Sequence, residues 1–159
     1  MVLILPYGNS LRGDDGAGFV LGDVVERMLS EAGFEVERID SQQLELELVL
    51  DISSEKISSV LFIDTRAVPD THGADDLRVQ VRRVTSAENA SPSMIHHLSA
   101  PTLLAYSRFL FKKEPPAWLI TVPGIDFDHG EGLSETARQA IGSGPQILRE
   151  LIPDLIRKV

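Results

Sequence analysis

Two adjacent carboxylates, Asp14 and Asp15, stand inside the glycine-rich stretch ILPYGNSLRGDDGAGFVLGDVV, between an apolar run and a helical pattern. Glycine-rich turns from a strand into a helix ordinarily hold phosphates, because backbone N–H groups and the positive helix end attract anions. This turn is itself doubly negative, so it repels phosphate and attracts a cation. Two further features carry compatible chemistry. Asp64 ends the apolar run SVLFID, and His96 and His97 lie in SMIHHLSAPTLLAYS, just ahead of another helical pattern. Two carboxylates and an imidazole form an O/O/N set that suits nickel, zinc, manganese or iron better than calcium, which prefers oxygen alone. The chain has no cysteine, so a metal site must be built from His, Asp or Glu.

Each residue also has a plainer role. An acid at a helix N-terminus stabilises it by about 0.3–1 kcal/mol without any ligand, and one of Asp14 and Asp15 is expected to do so. Asp64 could close an Asx-turn. Of two neighbouring histidines, at least one is ordinarily a surface residue. His72 and His129 lie in turn-like, acid-rich stretches and are expected to be solvated. What gives the set weight is convergence on one edge of a sheet.

The elements that must position them follow from periodicity. Val2 to Leu5 is all apolar, as in a strand buried on both faces. Val20, Val24, Val25, Met28 and Leu29 recur at helical spacing, and Gly33 follows as a C-cap. Glu35 to Ile39 reads as a second strand. The leucines between Leu44 and Ile52 read as a helix with a solvated acidic face, and Ser59 to Asp64 as a third buried strand. LRVQVRRV alternates apolar and polar residues like an edge strand. The linker before it, TRAVPDTHGADD, has no helical period, so this strand is expected to run antiparallel to its predecessor. A helix from Ser99 to Phe111, a fifth strand at AWLITV and a final helical region capped by Ser134 complete the chain. Gly142 and Pro145 predict a kink or break in that region. The sum is a single α/β domain over residues 1–159. It has three layers: a mostly parallel, twisted five-stranded sheet with one antiparallel strand, and helices on both faces. In such sheets ligands sit beyond the carboxyl ends of the strands, where Asp14, Asp15, Asp64 and the histidine pair all fall.

At 159 residues a sizeable core is available without staples. The net charge of −9 argues against nucleic acid or an anionic membrane as partner. No apolar run approaches the ~18 residues of a membrane span, and MVLILPYGN lacks the positive start of a signal sequence. A cytoplasmic protein is the expectation.

With these residues in place, the chain resembles the hydrogenase maturation proteases, endopeptidases that trim a C-terminal extension from the large subunit of [NiFe] hydrogenases. The resemblance covers nearly the whole chain. GNSLRGDDGAG is similar to the family signature G-N-x-L-x-x-D-[DE]-x-x-G. LFIDTRAV resembles the strand ending on the family's second acid, and HHLSAPTLL its H-x-x-[SG]-x-x-x-L-L stretch when His96 is the aligned histidine. VPGIDFDHGEGLS resembles the strand–G-I–L-S ending. One departure stands out: where the family commonly has D-G-G-T-x-G after the second strand, this chain has DSQQLELEL from Asp40.

The resemblance implies metal contacts at Asp15, Asp64 and His96, and substrate contacts around Gly8, Asn9 and Asp40. The ion it implies is nickel already carried by the large-subunit precursor, so that the presence of nickel licenses the cut. The free protein is expected to be a monomer that meets the precursor. Asp14 would then position the turn or act as base, and Asp14 and Asp15 are the candidate catalytic carboxylates. The sequence offers no cysteine nucleophile, no G-x-S-x-G elbow and no H-E-x-x-H helix, and no local histidine is placed to activate Ser10. Hydrolysis by polarisation beside a metal-activated water is the more economical chemistry. Two other classes stand beside the protease. A non-catalytic nickel-binding adaptor would bind the precursor and leave its mass unchanged. A small-molecule α/β protein would need an enclosed apolar pocket.

Overall fold

Strictly apolar, two-faced strands force helices onto both sides of a sheet, and the computed structural model, which describes residues 1–88 and 98–156, shows this arrangement. Val2–Pro6 forms β1, Ala17–Glu31 α1, Val36–Arg38 β2, Leu48–Ile52 α2 and Ser59–Ala67 β3. Gln80–Val84 forms β4, Ala100–Phe111 α3, Ala117–Gly124 β5 and Glu135–Ile156 α4. The strand order is β2-β1-β3-β5-β4, with all pairs parallel except β4 against β5.

Alternation along the strands splits the core in two. Val2, Ile4, Leu61, Ile63, Trp118, Ile120 and Val122 face α1 and α4. Leu3, Leu5, Val60, Phe62 and Ala117 face α2 and α3. The chain leaves β1 toward β2 on one side and returns through α2 to β3 on the other. The crevice between the carboxyl ends of β1 and β3 is therefore the topological switch point, where open α/β sheets bind ligands.

Several expectations shift in detail. The edge strand β4 is antiparallel, but its hydrogen-bonded neighbour is β5 and not β3. β3 runs on to Ala67, so Thr65 to Ala67 belong to the sheet and not to the linker. Only the last five residues of the leucine-rich stretch are helical. Val20 is exposed, and α1 turns Ala17, Leu21, Val25 and Leu29 inward instead. Ser99 caps α3 through its side chain, and Gly33 ends α1 at a positive φ of 89°, both as expected.

The break expected at Gly142 and Pro145 does not occur, because α4 continues for 22 residues with Pro145 and Pro153 inside it. An internal proline costs about 3 kcal/mol. Beyond Pro145, Leu148, Leu151 and Leu155 are all buried, and each buried leucine contributes about 1.5–3 kcal/mol. Tertiary packing outweighs the local penalty. Among the described residues no helix is long and apolar enough to cross a membrane.

Candidate active site

The turn after β1 is drawn tight by glycine. Gly8 has φ 148° and Gly13 φ 54°, both in the region that side chains avoid. A Cβ on Gly8 would lie 2.0 Å from the Asp15 carbonyl oxygen, and one on Gly13 would lie 2.5 Å from that of Asp126. The two glycines thus allow the turn to fold back on itself and to lie against the loop after β5. Asn9 completes the turn. Its side-chain oxygen accepts from Leu11 N at 3.0 Å, and its own N–H donates to Asp15 Oδ2 at 2.9 Å.

The two adjacent acids have opposite surroundings. Asp14 is 0% exposed and saturated with donors. Its Oδ2 accepts from Ile125 N at 2.8 Å, Asp126 N at 3.1 Å and Ser134 Oγ at 2.6 Å, while Oδ1 accepts from Ser134 N at 2.7 Å. Burial pushes its pKa up, but the Ser134 hydroxyl and the three backbone N–H groups outweigh this and hold it below the usual carboxylate value. Its backbone oxygen accepts from Thr65 Oγ1 at 2.8 Å, tying the turn to β3. Of the two roles considered for Asp14, this geometry fits the one that positions the turn. Ser134, read from sequence only as a helix cap, is its main partner and links the turn to the start of α4. It also caps that helix, accepting from Ala137 N at 3.2 Å.

Asp15 is half-buried, and its Oδ2 takes the Asn9 N–H within the turn. Across from it, Asp64 on β3 is also half-buried, and burial lifts its pKa to about 6, with the nearby Asp15 charge adding to the rise. Two hydrogen bonds oppose that rise. The Thr65 N–H donates to Oδ1 at 2.7 Å, and the Tyr7 hydroxyl donates to the carboxylate. Tyr7 sits just past β1 and pairs with β3 through its N–H to Ile63 O at 3.0 Å. Burial first, and then the Asp64 charge, push its own pKa upward. Burial is the main cause of the Asp64 rise and the Asp15 charge a lesser one; a cation between the two carboxylates would offset their repulsion.

This relation gives a direct prediction. Tyr7→Phe removes one of the two bonds that lower Asp64, so the Asp64 midpoint should move above about 6. Carboxyl-carbon NMR titration would read it, and a midpoint that stayed or fell would show that the hydroxyl does not hold this carboxylate.

Among the described residues no group of three or more potential metal ligands comes together, and Asp15 lies near enough to Asp64 for its charge to add to that carboxyl's raised pKa. His96 and the alternative His97 lie outside the described residues. Leu98 and Ser99 lead from that segment into α3, which packs on the sheet face that also carries Tyr7. His72 and His129 are exposed, as expected.

Asp40 lies at the end of β2, beside the turn. Ser41 N donates to Pro6 O and Gly8 N to Ser41 O, each at 3.2 Å. Both Asp40 oxygens accept from Arg38, at 2.6 and 3.1 Å. The same guanidinium also reaches Asp23 at 2.6 Å and Glu26 at 3.1 Å. Arg38 binds three acids, with Asp40 the largest contributor to its raised pKa. Nothing in the local sequence marks Arg38 for this role, because its partners come from α1 and from two positions downstream.

Comparison with known proteins bears on the fold. No family model matches the chain, and no curated protein matches it. Solved structures do. The hydrogenase maturating endopeptidase HybD from E. coli superposes with a TM-score of 0.70 at 20% identity, covering 96% of this chain and 93% of that one. The [NiFe] hydrogenase maturation protease HybD from Thermococcus kodakarensis gives 0.61 at 22% identity, covering 94% and 97%. An endopeptidase from Escherichia coli, solved in solution, gives 0.64 at 21% identity, covering 96% and 93%. At these identities the likeness establishes the architecture end to end.

Proposed function

We propose that this chain is an endopeptidase of the hydrogenase maturation type, trimming the C-terminal extension of a nickel-loaded large-subunit precursor. The observation that carries the reading is the Asp15–Asp64 pair at the switch point of the sheet, on a fold shared with structures named as such proteases. A pair of half-buried carboxylates suits a cation brought in by a protein segment better than a resident ion, which an enclosed set of ligands would hold. Asp15, Asp64 and His96 are assigned to the precursor's nickel, which the paired oxygens and an imidazole fit by donor type. Asp14 holds the turn. Asp15, the one of the two turn acids that is not saturated with donors, is the carboxylate left to orient or deprotonate the attacking water. Gly8, Asn9 and the exposed Asp40 border the approach to the crevice and are assigned to the arriving chain. The cell compartment is expected to be the cytoplasm.

The test is the mass of a nickel-loaded large-subunit precursor before and after incubation with this protein, beside a nickel-free control. A C-terminal loss in the loaded sample alone is the expected result. Binding without loss would favour the non-catalytic adaptor instead.

A further inference from the structure

An endopeptidase holds its chain on both sides of the bond it cuts. The residues assigned to the arriving chain, Gly8, Asn9 and Asp40, all follow β1 or β2 and so lie on one side of Asp64. On its other side come β5 and then β4. What those strands present at the level of Asp64 follows from register and alternation.

Asp64 is the Cα partner of Thr121 on β5, and Thr121 is that of Gln80 on β4. Tyr7 enters the same row one residue past the Pro6–Ile63 pair. Two residues deeper in the sheet, the corresponding row is Leu5, Phe62, Leu119 and Arg82. Leu5 and Phe62 belong to the core under α2 and α3, and Leu119 packs against it. Side chains alternate along a strand, so Tyr7, Asp64, Thr121 and Gln80 share that face, which turns from apolar to polar at this row. The Arg82 charge acts on the Tyr7 hydroxyl from across β3 and β5, so the side chains of β4 on this face reach the same region.

The row differs in what each member has left to offer. The Tyr7 hydroxyl is taken up by Asp64. Thr121 is half-buried, and its hydroxyl has no hydrogen-bond partner among the described residues. Gln80 is exposed, and its Nε2 donates to the Asp75 carbonyl at 3.2 Å, which leaves the amide oxygen as an acceptor. Water can satisfy an open hydroxyl; what singles out Thr121 is its place as the immediate neighbour of Asp64 on the β4 side. Strands lie about 4.8 Å apart, so β3 to β4 spans about 10 Å, the length of roughly three residues of extended chain.

We propose that Thr121 and Gln80 hold the second flank of the arriving chain, the Thr121 hydroxyl donating to a backbone carbonyl beside the cut and the Gln80 amide oxygen accepting a backbone N–H further along. The proposal rests on the protease reading and adds a path to it: the chain crosses the sheet from Asp40, over Asp64, to Gln80.

The test compares Thr121→Val, Thr121→Ser and Gln80→Ala with the parent. The readouts are processing of the nickel-loaded precursor, capture of that precursor by surface plasmon resonance, and thermal melting. Thr121→Val keeps the shape of the side chain and removes only the hydroxyl. It should melt no lower than the parent, since no protein partner is lost, while kcat/KM falls about ten-fold. Thr121→Ser should stay within about three-fold of the parent, and Gln80→Ala, at the open end of the row, should lose about three-fold. Equal cutting by parent and Thr121→Val would overturn this assignment and leave the protease reading intact. A Thr121→Val protein that melts lower would also overturn it, by making the hydroxyl structural. A parent that captures the precursor without cutting it would remove the protease reading instead. Capture should then still weaken about ten-fold in Thr121→Val, and unchanged capture would overturn the row as well. Neither cutting nor capture by the parent would take down both.

Discussion

An Asp64→Asn protein should fold at least as well as the parent yet leave the nickel-loaded precursor uncut. The two halves of that expectation come from the same observation. Burial, together with the Asp15 charge, lifts the Asp64 pKa to about 6 from an ordinary value near 3.8. The folded state therefore resists ionising this group. A raised pKa contributes stability that is fully present below the unfolded value and is lost as pH rises through the folded value. For Asp64 the window runs from about pH 3.8 to about pH 6, and above it the carboxylate is held at a penalty. A pKa displaced by one pH unit corresponds to about 1.4 kcal/mol, so the penalty at neutral pH is on the order of 1–3 kcal/mol. A neutral amide escapes it. The amide oxygen still accepts from Thr65, and the amide nitrogen can donate to the Tyr7 oxygen.

Activity should move the other way. Loss of a partner that merely orients a metal ligand costs 10–100-fold in affinity or rate, so if Asp64 holds the precursor's nickel as proposed, its loss should lower processing by at least about a hundred-fold. Thermal melts at pH 5 and pH 8, run beside the precursor mass assay, separate the two effects. The stability advantage of Asp64→Asn should be full at pH 8, smaller at pH 5, and vanish only below about pH 3.8. A variant that cuts the precursor normally would remove Asp64 from the chemistry. One that melts lower at pH 8 would mean that the carboxylate is structural.

The sequence carried the layers well because the signals were long and mutually consistent. Val2 to Leu5 and Ser59 to Asp64 are apolar on both faces, and only a sheet covered twice can bury them. It was less informative where a distant contact decides the outcome. Pro145 looks like a break to any local rule, and only the three leucines beyond it, packed on the sheet, keep α4 whole. The partner of β4 depends on where β5 lies, which no window of the chain contains. At the site, spacing brought Asp14, Asp15 and Asp64 to one edge but could not say which of the adjacent pair faces inward. That choice is made by Ser134, 120 residues away, whose N–H and hydroxyl together select Asp14. Arg38 is illegible for the same reason, since its three acids are gathered by the fold.

Asp14 makes the opposite prediction to Asp64, although its neighbour Asp15 is assigned to the same crevice as Asp64. Asp14→Asn should lower stability by roughly 2–4 kcal/mol, because a buried carboxylate satisfied by charge-assisted donors is being replaced by a group that brings donors of its own. Four N–H and O–H groups converge on its two oxygens. An amide can keep its oxygen on the side of Ile125, Asp126 and the Ser134 hydroxyl, but its nitrogen then faces the Ser134 N–H, and two donors meet with no acceptor between them. For a domain of this size the loss lowers the melting temperature by about 2–4 °C per kcal/mol. Acid should close the gap. The Asp14 pKa lies below its ordinary value of 3.8 in the folded state, so its contribution is present above that unfolded value and disappears as pH falls through the folded one. Parent and variant should therefore differ by a constant amount from pH 5 to pH 8 and converge in stronger acid. Processing should weaken only as far as the turn is displaced, and lower temperature should partly restore it, which no cooling would do for Asp64→Asn. If Asp14→Asn instead melted like the parent while cutting was abolished, Asp14 would be the base and the turn would need no anchor.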